Sequence, residues 1–332
     1  MKQLELVIVQ FEEVKRLIEV GRVPQLRLAF ILLDSAVELI MHRQIQDALA
    51  LEHWDFRALE NYRRAEDDGR GNDWIRAEIK ELEGQVTSKG KRKKINHSFP
   101  DKIDFLVERG SLPNEVGPVL KRLHEYRNET YHRDHHRLEV IRPAVLIYFD
   151  TACAVLSTYS PGSVADEDTG PELDRFIEGF TGYYDPFDLP ERAANQLREE
   201  VGLDLDVVRD ALTEHLLGRL EELEENIRYV EGFFPDLLPG DALRIIQVAE
   251  GDTEAIFNRD VMRSRTYPHD EGDLVTLRER AAALSGITEK HALFTEFAGI
   301  ETSFEELEKQ ATFAVEQIDD QMQMQLDAHR EK

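Results

Sequence analysis

The sequence predicts an all-α protein: a helical bundle followed by a second, acidic helical domain. Three observations carry this. Apolar residues recur at helical spacing along almost the whole chain, with no strand-like alternation of useful length and no fixed-period repeat. Glycine and proline clusters punctuate these stretches at intervals suited to short helices. The charge divides unevenly. Residues 1–160 hold 25 Lys+Arg against 26 Asp+Glu, whereas 161–332 hold 16 against 41, so almost all of the net −26 belongs to the second half. At 332 residues the chain has about two domains' length and needs no disulfide or metal to bury a core.

The elements follow in order. A first helix over about Leu4–Val20 stops at Gly21. A second begins near Pro24, a good first-turn residue, and runs to about Ala50, with Leu26, Phe30, Leu33, Val37, Ile40 and Met41 on one face. A charged helical pair, about 54–67 and 73–86, is broken by Gly69-Arg70-Gly71-Asn72. Trp54, Trp74 and Tyr62 on this pair read as packing residues. The dense basic run Ser88-Lys89-Gly90-Lys91-Arg92-Lys93-Lys94 follows, either a solvated loop or a hold on a polyanion backbone. Ser98 and Pro100 start a helix that ends at Gly110, and Pro113 opens the next. The helix over about 138–157 is apolar nearly all round and is expected at the centre. Residues 161–171 have a linker's composition, which sets the expected domains at 1–160, with a charged insert over about 54–94, and 172–332. The acidic half carries amphipathic helices over about 190–201, 207–233, 241–250, 274–284, 289–297 and 303–328.

Composition excludes several classes. A single cysteine, Cys153, lies in an apolar run, which rules out a disulfide framework or a Cys-rich zinc module. The N-terminus has no secretory pattern and no stretch is long and apolar enough to span a membrane, so the expected setting is cytoplasmic with no membrane partner. Overall acidity argues against a general nucleic-acid coat but leaves room for a local site in the balanced half.

The stretch Leu123–His136 concentrates chemistry, with four of the 11 histidines in 13 residues. On one helix His124, Asn128, His132 and His136 share a face. The apolar ridge Val116, Leu120, Leu123 continues at i+4 into Arg127, placing a permanent cation where a buried residue is expected; it requires a partner or a functional anion. Arg127 and His132 are about 7.5 Å apart along the axis and can both face one groove. Arginine offers a planar fork to phosphate oxygens, and histidine exchanges a proton near neutrality. Together they suit a phosphodiester: deprotonation of a ribose 2′-OH starts in-line attack, and the cation stabilises the charge that develops.

Arg127-Asn128-Glu129-Thr130-Tyr131-His132 resembles the Arg-polar-x-x-x-His signature of HEPN domains (higher eukaryotes and prokaryotes nucleotide-binding). The helix bearing Leu33–Leu39 and the closing apolar helix resemble their neighbours in that family, over residues 1–160 only. The resemblance implies a bundle that dimerises through the motif helices. It also implies a metal-independent endoribonuclease of toxin–antitoxin, abortive-infection or other antiphage systems, leaving 2′,3′-cyclic phosphate ends, without cofactor or metal. Arg127 would bind the scissile phosphate, His132 would be the general acid or base, and Asn128 would hold the loop or orient the imidazole. Tyr131 and His124, with Lys91, Arg92, Lys93 and Lys94, are the candidate RNA contacts. An antitoxin or regulatory protein is the expected further partner. Some members have a tyrosine two residues after the histidine that a partner enzyme modifies; Asp134 stands there here.

Other readings stand beside these. Arg127 and His132 fit a structural ion-pair network with Glu125, Glu129 and Asp134, in a non-catalytic HEPN-like module that binds a nucleotide or protein. His132 and His136 with Asp134 have a zinc-like spacing but lack the Glu of the His-Glu-x-x-His pattern. Tyr126 and Tyr131 flank the motif as packing residues or base-stacking platforms. The aromatic cluster 180–187 reads as an ordered turn or docking patch. The acidic half either mimics RNA at the cleft or keeps a helical scaffold soluble.

Overall fold

The computed structural model describes residues 2–132, 140–160, 171–178, 185, 187–249 and 251–330, excepting the side chains of 130–132 and 328–330. Among these residues the fold is all-α and contains no strand. Two compact units divide the chain, Met1–Leu203 and Asp204–Lys332.

The first unit begins with α1 (Lys2–Val20) and α2 (Val23–Leu51), packed along one another. Gly21 turns the chain at φ +67°, a conformation that favours glycine. The insert comprises α3 (His53–Ala65), a π-type turn with Gly69 at φ +75°, α4 (Asp73–Gln85) and α5 (Lys89–His97). Then come α6 (Phe99–Glu108), α7 (Val116–His132) and α8 (Ile141–Ser157). Ser98 caps α6 by accepting from the Asp101 amide, and Pro100 occupies the first turn. As the all-round apolar pattern predicts, α8 is central, packing against α1, α2 and α7 and burying residues around its circumference. Edge-on ring contacts, Phe11–Phe149 at 5.6 Å and Phe30–Tyr148 at 5.3 Å, tie it to α1 and α2.

Two more helices, α9 (Pro171–Ile177) and α10 (Leu189–Val201), belong to this unit, so its boundary falls about thirty residues beyond the expected linker. The reason lies in α10: Ala193, Ala194 and Leu197 are fully buried, and small alanines let the helix lie close on α8. Arg198 closes the contact on the buried Asp150, 2.9 Å away.

The insert has its own small core of Leu59, Ile79 and Val86, with Phe56, Tyr62, Ile75 and Leu82 packed against it. Trp54 and Trp74 do not fill it. They are 76% and 58% exposed, although Trp74 meets Tyr62 edge-on at 5.5 Å. The basic run is helix α5 rather than loop, because Ser88 caps it on the Lys91 amide and Ile95 is buried.

The second unit contains α11 (Leu205–Phe233), α12 (Asp241–Ile246), α13 (Thr253–Phe257), α14 (Arg259–Ser264), α15 (Glu271–Ala283) and α16 (Lys290–Arg330). The long helices α11 and α16 pack on each other, and Arg219 bridges them through Glu301 (2.6 Å) and Glu308. The sequence predicts a break between 297 and 303, but α16 is continuous. The hydroxyls of Thr302 and Ser303 donate back to the carbonyls of Ala298 and Ile300 instead of capping a new helix. Among the described residues, no helix is long and apolar enough to cross a membrane.

Candidate functional site

The motif helix α7 turns its apolar ridge into the first unit, burying Val116, Val119, Leu120, Leu123 and Tyr126. Tyr126 therefore packs in the core, with the Arg122 guanidinium 4.8 Å from its ring. At the end of this ridge, the cation anticipated at a buried position meets an acid anticipated at none. Asp34 of α2, only 2% exposed, lies in the same apolar face as Phe30 and Val37. Its Oδ2 is 3.5 Å from Arg127 Nε. Its Oδ1 accepts the Tyr148 hydroxyl from α8 at 2.8 Å and contacts His124 Nδ1 at 2.8 Å.

One carboxylate thus collects side chains from two neighbouring helices, which answers the cost of burying it. Burial first, then the Asp34 charge and hydrogen bond, push the Tyr148 hydroxyl well above the ordinary tyrosine value, so it remains a donor. His124 is also stacked on Phe99, ring centroids 4.0 Å apart and planes within 8°. The carboxylate and the Phe99 ring together fix the orientation of the imidazole. Asn128 accepts from Arg127 Nη1 at 2.9 Å, so it orients the guanidinium.

Among the described residues Arg127 meets an acid ninety-three residues away in sequence, Asp34. His132 is the last residue of α7, but its side chain and that of Tyr131 lie outside the described residues, as do residues 133–139 with Asp134 and His136. The aromatic cluster at 180–187 falls outside them except for Asp185 and Phe187, and Phe187 is exposed.

The basic run divides in two. Arg92 donates to Glu52 Oε2 (2.8 Å) and the Thr87 carbonyl, and its guanidinium lies 4.2 Å from the Phe56 ring. Lys91 pairs with Glu108. Lys93 and Lys94 are exposed on α5. Glu52, nearly buried at the α2–α3 junction, also takes Arg109 and both the amide and hydroxyl of Thr87. It thereby fastens the insert to the bundle. Among the described residues no group of three or more His, Cys, Asp or Glu could hold a metal ion.

Sequence reasoning missed Asp34 and Tyr148. The signal was present in Asp34, an acid on an apolar helical face, the mirror of the argument that singled out Arg127. No family model matches the chain, and no curated protein or solved structure matches it.

Proposed function

We propose that the chain is a metal-independent endoribonuclease of a toxin–antitoxin or antiphage defence system, with a HEPN-like first unit. The observation that carries this reading is the shared carboxylate. Arg127 and His124 occupy successive turns of the helix that ends at His132, and Asp34 orients both from beneath. A guanidinium held by a buried acid and a neighbouring asparagine is set in place before an anion arrives, the arrangement that favours electrostatic stabilisation of developing charge.

In the proposed reaction His132 accepts the proton of a ribose 2′-OH. The 2′-oxygen bonds to phosphorus, the P–O5′ bond breaks, and the departing 5′-oxygen takes a proton from solvent water, while the His132 imidazolium returns its proton to solvent. The products are a 2′,3′-cyclic phosphate and a 5′-hydroxyl end. Arg127 neutralises the phosphoryl oxygens throughout. Lys93 and Lys94, exposed on α5, are the backbone contacts this reading retains from the basic run. Pairing of two copies through α7 would bring two such sites to one cleft, and an antitoxin or regulatory protein would restrain them.

A second reading has its own support. The Asp34 and Asn128 contacts of Arg127 also describe a structural cation, as in a non-catalytic module that binds a nucleotide or protein. Incubation of the full chain with RNA in EDTA, with Arg127→Ala and His132→Ala in parallel, separates the two. The nuclease reading expects cleavage that both substitutions remove. The binding reading expects no cleavage and a lower melting temperature for Arg127→Ala.

A further inference from the structure

The second unit is strongly acidic, yet three of its arginines line one cavity of about 580 Å3 between the start of α12, the 265–270 segment and the start of α15. They are Arg244, Arg263 and Arg265, and Tyr267 and His269 share the wall. We propose that this cavity binds a small phosphorylated ligand, a phosphate ester or diphosphate of nucleotide size, through these guanidinium groups.

The fixed guanidinium forks suit an anion. Asp241 beneath the cavity is fully buried and serves two arginines: Arg263 through Nε (3.1 Å) and Nη2 (2.6 Å), and Arg244 through Nη1 (3.0 Å). Asp241 thereby fixes both forks in orientation, and Asp260 beside Arg263 balances the charge that Asp241 leaves. Arg265 adds a third fork. Its carboxylate neighbours, Asp252 at 3.5 Å and Glu254 at 3.7 Å, are ion contacts longer than a good charge-assisted hydrogen bond. Further acids surround the group. Asp260 stands 3.6 Å from Arg263, Asp270 is engaged by the Asp273 amide in the cap of α15, and Glu271 shares the wall. The wall itself thus carries three arginines against two acids, Asp270 and Glu271, while Asp241, Asp260, Asp252 and Glu254 pair with the guanidiniums.

The walls are preformed. The buried Gln247 amide clamps the 265–270 segment by donating to the His269 carbonyl and accepting the His269 amide, both at 2.9 Å. The Tyr267 hydroxyl is tied to the Met262 carbonyl at 3.1 Å. A cavity of this size, with a few convergent polar groups on fixed walls, has the dimensions of a small-molecule site, and planar guanidinium forks match phosphate oxygens. The tyrosine ring and Leu243 supply an apolar flank for the rest of the molecule.

Thermal-shift and calorimetric titration of the full chain with inorganic phosphate, pyrophosphate, ADP and adenosine tests the proposal. Saturable binding of ADP or pyrophosphate, none of adenosine, and a loss of at least roughly tenfold in Arg265→Ala and Arg244→Ala are expected. Arg278→Ala, which removes an arginine paired with Glu224 and outside the wall, should bind as the unaltered chain does. Tighter binding of ADP than of pyrophosphate assigns a nucleotide, and the reverse a free polyphosphate. Should Arg244→Ala disturb folding through Asp241, Arg265→Ala alone decides. No binding of any phosphate compound up to about 5 mM, equal binding of adenosine, or unchanged affinity in Arg265→Ala would overturn the proposal.

Discussion

Asp34 Oδ1 and His124 Nδ1 stand 2.8 Å apart, joining α2 to α7 across ninety residues of sequence. The same oxygen accepts the Tyr148 hydroxyl, and the other faces Arg127. The motif helix is therefore fixed to the core by a polar contact set in an apolar face, and any chemistry on α7 depends on it.

Asp34→Ala should destabilise the first unit by about 3–5 kcal/mol, because it leaves the Tyr148 hydroxyl buried without its acceptor and removes the counter-charge of Arg127. Tyr148→Phe alone should cost about 1–2 kcal/mol. Urea unfolding of both and of the double variant should show a combined loss smaller than the sum, since the two share one interaction. Additive losses would mean the contact carries no coupling.

Glu52→Ala should loosen the insert while sparing the bundle. Arg92, Arg109 and Thr87 all converge on this carboxylate, whereas Leu59, Ile79 and Val86 pack separately. Limited trypsin digestion should cut the Lys89–Lys94 segment sooner, with only a small change in the main unfolding transition. Unchanged cleavage would show that Glu52 does not fasten the insert.

Acid should destabilise the second unit between about pH 4 and pH 2. Hydrogen bonds from Arg263 foremost, against the opposing effect of burial, hold the Asp241 carboxyl at about 2 rather than 3.8. A depressed folded-state value gives stability that is complete above the unfolded pKa and disappears as pH falls through the folded one. This contribution is about 2 kcal/mol. In the first unit, burial of Glu200 is outweighed by hydrogen bonds from Lys15, Gln196 and Arg175, giving about 2 and the same direction. Asp241→Asn should flatten the acid limb of the stability curve, measured by denaturant unfolding from pH 6 to pH 2.5. An unaltered limb would remove Asp241 from the account.

Lys93→Ala and Lys94→Ala together should weaken RNA binding and reduce the slope of log affinity against log salt by about 1.4, the single-strand value for two phosphate contacts. A slope that does not change would place the RNA elsewhere.

Much of the architecture was legible because helical periodicity is local. The ridge Leu26–Met41, the Ser98–Pro100 start and the apolar circumference of α8 all reappear in three dimensions. What escaped depends on partners distant in sequence or on weak local signals. Helix α5 has a single buried side chain, Ile95, and so no periodicity to read. The position of α10 in the first unit rests on its alanine face meeting α8, which composition does not record. At the candidate site, Arg127 was legible as a cation on an apolar ridge, but its pairing with Asp34 required the two helices to be placed together.

The most direct measurement is RNA cleavage by the full chain in EDTA, with product ends identified and folding of each variant followed by circular dichroism. Cleavage leaving 2′,3′-cyclic phosphate is the expected result, with a loss of at least about 100-fold in folded Arg127→Ala and His132→Ala. Absence of cleavage by the unaltered chain, or equal cleavage by all three proteins, would contradict the account.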